Sequence, residues 1–180
     1  MQVKKTEFKG LLILQPKIFK DERGLFFESW NESVFKSLGI NISFIQDNQS
    51  VSKKNVLRGL HFQNHPHGQG KLVRVSKGSA LDVVLDLRKD SKTYGKHFKH
   101  KLSDQNATML WIPYGFAHGF IALEDQTVFQ YKCDALYHPE SEGCIAWNDP
   151  SLGIDWGIKK PIVSAKDQEG KLLKDVHLIY

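Results

Sequence analysis

Arg58, His61, Gln63 and Lys71 crowd into one stretch, RGLHFQNHPHGQGKLVRV at 58–75. Histidine is the side chain that exchanges protons near neutrality, so His61 is the first candidate for a general base. A carboxylate that fixes the imidazole tautomer improves such a base. Asp167 is a candidate for that partner, although spacing alone does not bring it close. Tyr131, in the run VFQYK at 128–132, offers a phenol that can act as an acid. Lys71 offers a cation for a developing oxyanion. Together these are the parts of acid–base chemistry without metal. The same histidine and tyrosine would serve equally as hydrogen-bonded core residues.

A metal site is the competing use of these histidines. His61, His65 and His67 lie close together, and His118 follows later. A β-barrel metal site needs a carboxylate among such ligands. Gly68, Gln69, Gly70 and Lys71 follow His67 instead, with a cation where an anionic ligand belongs, and Pro66 separates His65 from His67. No metal is therefore expected. His118, in IPYGFAHGF at 112–120, faces the same side of its strand as Phe120 and Ala122, as a ligand-binding group or a satisfied core histidine. Tyr137, with Trp147 nearby in sequence, offers a flat face to a nucleobase, or core packing. Arg23 and Glu28 flank an apolar segment, an odd place for two charges unless they bind something or form a solvated rim pair.

Strands must carry these groups. Leu57–Gln63 and Lys71–Val75 read as two arms around a Pro- and Gly-rich corner, 64–70. Side chains alternate between faces along a strand, so Gly59, His61 and Gln63 should share one face and Lys71, Val73 and Val75 another. If the arms pair, base and cation meet in one cavity. Further strands are expected at 11–14, 25–30, 42–50, 80–88, 97–102, 108–112, 119–123, 127–134 and 144–147, with a tight turn at Lys77-Gly78. Val83, Leu85 and Leu87 alternate with Asp82 and Asp86. One helix is expected over Asn31–Leu38, with Asn31 as N-cap and Gly39 at its end. Many short strands with turn signals every eight to twelve residues give an all-β sandwich or barrel. The tail, 161–180, should wrap it or cap one end.

With 180 residues, one domain and a real core are expected. No apolar run approaches the length of a membrane span, and MQVKKTEFKG lacks signal-peptide character, so a cytoplasmic protein is expected. Cys133 and Cys144 are too few for a disulfide framework and are expected as reduced thiols. The formal charge of +5 comes from scattered residues, which argues for a small anion such as a diphosphate, or for a merely basic surface, and against nucleic acid.

Taken together, the sequence resembles the dTDP-4-dehydrorhamnose 3,5-epimerase family along nearly its whole length. The resemblance is carried by DERGLFFES at 21–29, Gln46-Asp47-Asn48, RGLHFQ at 58–63, QGKLVRV at 69–75, Asp86-Leu87-Arg88 and the Pro113–Phe120 turn. It continues through Tyr131-Lys132, Trp147-Asn148-Asp149-Pro150 and 164–167. It implies a cupin-type jelly roll (double-stranded β-helix) with a few short helices, a homodimer, a dTDP-sugar substrate and no cofactor. It implies His61 as proton acceptor paired with Asp167, Tyr131 as donor and Lys71 on the enolate. Arg23, Glu28, Gln46, Asp47, Asn48, Arg58, His118, Glu142 and Lys166 match substrate-binding positions, and Tyr137 matches the residue that stacks on thymine. An N-terminal strand would cross to the partner, so that Arg23 and Glu28 serve the neighbour's site. A related enzyme inverting only C3 or only C5 is the nearest alternative. One that moves the keto group between C3 and C4, and a non-catalytic sugar- or metal-binding barrel, are the others.

Overall fold

Period-two patterning builds strands along most of the chain in the computed structural model, which describes residues 1–178. In order they are β1 (Gln2–Lys5), β2 (Leu12–Gln15), β3 (Phe19–Asp21), β4 (Gly24–Phe26), β5 (Gln46–Ser52), β6 (Val56–Gln63) and β7 (Lys71–Lys77). Then come β8 (Ser79–Asp86), β9 (His97–Ser103), β10 (Met109–Ile112), β11 (Phe116–Ala122), β12 (Thr127–Cys133), β13 (Glu142–Cys144) and β14 (Ile162–Val163). One six-stranded sheet runs β1-β2-β10-β7-β12-β5. The other runs β13-β6-β11-β8-β9, with β14 added parallel to β6. This is the expected cupin-type jelly roll.

Three apolar clusters follow from the two faces of each sheet. Val73, Val75, Leu110 and Phe129 of the first sheet meet Val84, Leu102, Phe116 and Phe120 of the second between the layers. The outer face of the second sheet, including Leu57, Leu60, Val83 and Leu85, is covered by Ile145, Leu152, Trp156 and Leu178. The tail thus wraps the barrel as expected; Ile179 and Tyr180 lie outside the described residues. On the first sheet's outer face, Leu14, Leu72 and Met109 are covered by Phe35 and Ile40. Phe35 comes from α1 (Glu32–Ser37), where the Asn31 side chain caps by accepting from the Val34 N–H at 3.2 Å. A second short helix, α2 (Ala165–Gln168), is capped by Ser164, whose hydroxyl accepts from the Asp167 N–H.

Several expectations need correction. The arms β6 and β7 do not pair; they belong to opposite sheets, because the 64–70 corner crosses from one layer to the other. Strand character at 25–30 stops at Phe26, the segment at 42–45 is irregular, and the strand expected at 144–147 lies instead at Glu142–Cys144. The face assignment along β6 also changes. Leu57, Leu60 and Phe62 pack outward, while Arg58 and His61, three apart, both line one cavity. The β6–β11 ladder skips there, pairing His61 with His118 but Arg58 with Phe120. Gly59 permits this: its φ is +125°, and a Cβ would stand 2.5 Å from the Gly119 Cα.

Candidate active site

The two layers part at one end around a cavity of about 470 Å³. Lys71 (β7), Tyr131 (β12) and Asn48 (β5) line it from the first sheet, and Arg58, His61 (β6) and His118 (β11) from the second. Tyr137, Glu142, Lys166 and Asp167 complete the lining. Phe120 and Phe129, stacked with centroids 4.0 Å apart, form an apolar part of the wall.

His61 Nε2 lies 2.6 Å from Asp167 Oδ1, and the Gly59 N–H donates to Asp167 Oδ2 at 3.3 Å. The carboxylate is buried while the ring keeps some exposure, 4% against 30% by side chain. Burial works to raise the Asp167 carboxyl, but the His61 contact, the Gly59 N–H and the Ser164 cap outweigh it and hold it below its ordinary value. The sequence alone left this pairing open; α2, folded against β6, makes it.

Burial lowers the Lys71 ammonium, offset in part by the negative fields of Cys133, Glu142 and Asp82. Its Nζ stands 5.9 Å from the centre of the Tyr131 ring. Burial raises the Tyr131 phenol, helped by Cys133 and Glu142 and opposed by Arg58, so the phenol holds its proton. At the rim, the Tyr137 hydroxyl donates to Glu142 Oε2 at 2.7 Å, and Lys166 Nζ meets the same oxygen at 2.5 Å. The Gln46 side chain accepts from the Tyr137 N–H at 2.8 Å and so braces the ring from behind. Tyr137 is 49% exposed, available for stacking, whereas Trp147 packs against the outer core and belongs to no aromatic pair with it.

Gln46 does not line the cavity and meets it only through Tyr137, and three further expected site residues stand elsewhere. Asp47 points to the other face of β5, pairs with Lys132 at 2.6 Å and lines a separate 160 Å³ cleft. Arg23 pairs with Asp21 in the exposed β3–β4 hairpin. Glu28 accepts from the Asn31 side chain at 3.0 Å. None of the three lines the cavity.

One participant escaped the sequence reading. His118 Nε2 lies 2.8 Å from Asp82 Oδ2, and Asp82 is fully buried. Among the described residues its Oδ1 has no hydrogen-bond partner. The available signal was a carboxylate alternating with Val83 and Leu85 in mid-strand, where an open sheet face would not need to be sealed.

Fold and cavity define a cupin-type enzyme built for proton transfer. The chain belongs to the dTDP-4-dehydrorhamnose 3,5-epimerase family, whose sequence model matches residues 5–175. It is 51% identical over 175 residues to the dTDP-4-dehydrorhamnose 3,5-epimerase of Salmonella typhimurium, covering 96% of each chain. It is 48% identical over 174 residues to that of Methanothermobacter thermautotrophicus, covering 95% of this chain and 94% of the other. Among solved structures it resembles the dTDP-6-deoxy-D-glucose-3,5-epimerase of Legionella pneumophila Philadelphia 1 in complex with dTDP-4-keto-L-rhamnose. The TM-score is 0.94 at 44% identity, over 99% of this chain and 98% of the other. The protein is thus an isomerase.

Proposed function

We propose that the cavity converts dTDP-4-keto-6-deoxy-D-glucose to dTDP-4-keto-L-rhamnose by inverting C3 and C5 in turn. The 4-keto group makes the hydrogens on both carbons acidic, since the carbanion delocalises onto the ketone oxygen. His61, held by Asp167, takes the proton from one face. Lys71 holds the enolate charge in a low-dielectric pocket, where a fixed cation acts strongly. Tyr131 returns a proton to the opposite face, and ring rearrangement brings the second carbon to the same base. Each positioned acid or base contributes about 10²–10⁴-fold. The observation that carries this reading is that His61 and Tyr131 line one cavity from opposite sheets.

Arg58, Asn48, His118, Glu142 and Lys166 would hold the sugar and diphosphate, with Gln46 bracing Tyr137 against the base. Residues 1–180 would act as one jelly-roll unit in a cytoplasmic homodimer. Arg23 and Glu28 would then work from the partner's side. That reading is supported by the β3–β4 hairpin, which exposes Phe19 at 53%, Leu25 at 53% and Phe26 at 69%. Among the described residues no helix is long and apolar enough to cross a membrane.

The test is incubation with dTDP-4-keto-6-deoxy-D-glucose in D₂O, followed by NMR. Deuterium entering at both C3 and C5 with inversion supports double epimerisation. Label at one carbon alone selects a mono-epimerase, and no label rejects the chemistry.

A further inference from the structure

The proton-transfer scheme leaves one neighbour of the base idle. Cys144 stands opposite His61 in the β13–β6 ladder. Its Sγ, a ring nitrogen of His61 and a carboxylate oxygen of Asp167 all lie within 4.8 Å of one another. We propose that His61, Cys144 and Asp167 form a site for a thiophilic divalent cation, Zn²⁺ above all, whose binding switches epimerisation off by occupying the base. The inhibitory half rests on His61 being that base. The binding half rests on the donor set alone.

Nitrogen, sulfur and carboxylate oxygen are the three donor types that zinc combines, with a fourth position left for water. Magnesium and calcium take oxygen ligands and would gain little from a thiol and an imidazole. The donors come from three separately anchored segments: β6, β13 and the capped turn of α2. Asp167 is held from behind by the Gly59 N–H, the kind of outer support that keeps a ligand aimed. Binding requires one small adjustment. The 2.6 Å gap between His61 Nε2 and Asp167 Oδ1 must open to roughly 3.3 Å, the span of two tetrahedral ligands at bonds of about 2.0–2.1 Å. The thiol proton passes to water as the sulfur–zinc bond forms, the Nε2 proton that faced Asp167 moves to Nδ1 so that zinc binds the freed Nε2, the ring can then accept no further proton, and no electron moves.

His61, His65, His67 and His118 lack the carboxylate that a resident metal among them would need. The site proposed here shares only His61 with that set, and its occupant stops the reaction.

The experiment uses full-length protein freed of metal by chelator and dialysis. CdCl₂ is titrated in without substrate, reading the ultraviolet cadmium–thiolate charge-transfer band. ZnCl₂ is then titrated against turnover. One equivalent of cadmium should raise the band in the wild type and not in Cys144→Ser. Zinc should abolish turnover, and EDTA should restore it. Cys144→Ser should keep its basal turnover and need more zinc, by at least the about 10–100-fold that follows loss of a supporting group at a metal site. No band, or equal zinc sensitivity in the two proteins, overturns the site. A Cys144-dependent band with undiminished turnover overturns the inhibition and with it the assignment of His61 as base. Absence of turnover before any metal is added would instead count against the proposed function.

Discussion

Two histidine–aspartate pairs face the same cavity from adjacent strands, and His61 and His118 are direct partners in the β6–β11 ladder. Their N–O distances are nearly equal, 2.6 and 2.8 Å. Their surroundings differ. His61 keeps 30% of its side-chain exposure, and its carboxylate arrives from a helical turn outside the sheet. His118 keeps 8%, and Asp82 is sealed within β8 with one oxygen unpartnered among the described residues. A pair that touches solvent and substrate can pick up and pass on protons. A sealed pair next to a buried ammonium is suited to fixed charge and a fixed hydrogen bond, and Asp82 does help to offset the desolvation of Lys71. Identical side chains thus divide the labour according to exposure.

The largest effect should separate the two pairs. His61→Ala should lose at least about 10²–10⁴-fold in kcat with an unchanged circular dichroism spectrum. His118→Asn should lose about tenfold, the worth of one hydrogen bond near 1.4 kcal/mol. Equal losses in steady-state kinetics would break the comparison. Next comes Tyr131→Phe, which should still exchange the carbon-bound hydrogen with D₂O but form no inverted product by NMR. Loss of exchange as well would give Tyr131 a part in deprotonation.

A smaller, pH-dependent effect follows from Lys71. Its ammonium is lowered from 10.5 by burial, so it loses its proton earlier than a free lysine as pH rises. The alkaline limb of kcat/KM should therefore lie below that value. Lys71→Arg, whose charge does not titrate there, should remove the limb at a lower overall rate. A limb that survives in Lys71→Arg belongs to Tyr131. The smallest effect concerns stability. Asp167 is held below its ordinary value of 3.8 in the fold, so its contribution is present above the unfolded-state value and fades as pH falls through the folded one. The melting temperature of Asp167→Asn should lie a few degrees under wild type at neutral pH. The gap should close on acidification; a constant gap would mean that packing, not charge, holds the pair.

Strand periodicity made the barrel legible, and the Asn31 cap and Gly39 made α1 legible. Resemblance to a family named His61, Lys71, Tyr131 and Asp167 together, because residue type and order survive in a sequence while mutual distance does not. What stayed hidden depends on tertiary placement. Nothing local shows that the 64–70 corner changes sheets, so whether the two arms pair stays open in the sequence. The ladder skip at Gly59 breaks the alternation that a strand otherwise guarantees, and it brings Arg58 to the same side as His61. Asp82 looks like any carboxylate on a half-exposed strand until the opposite sheet closes over it. Asp47 shares a tripeptide with Asn48, yet pleating sends it to the other face. Cys144 falls opposite His61 only through the β13 register.

Asp167 and Lys166 ride on one four-residue turn near the end of the chain. Synthesis proceeds from the N-terminus, so every strand shaping the cavity leaves the ribosome before that turn does. A nascent chain can therefore close its barrel while the imidazole still lacks its tether, so shape precedes catalytic competence in the growing molecule.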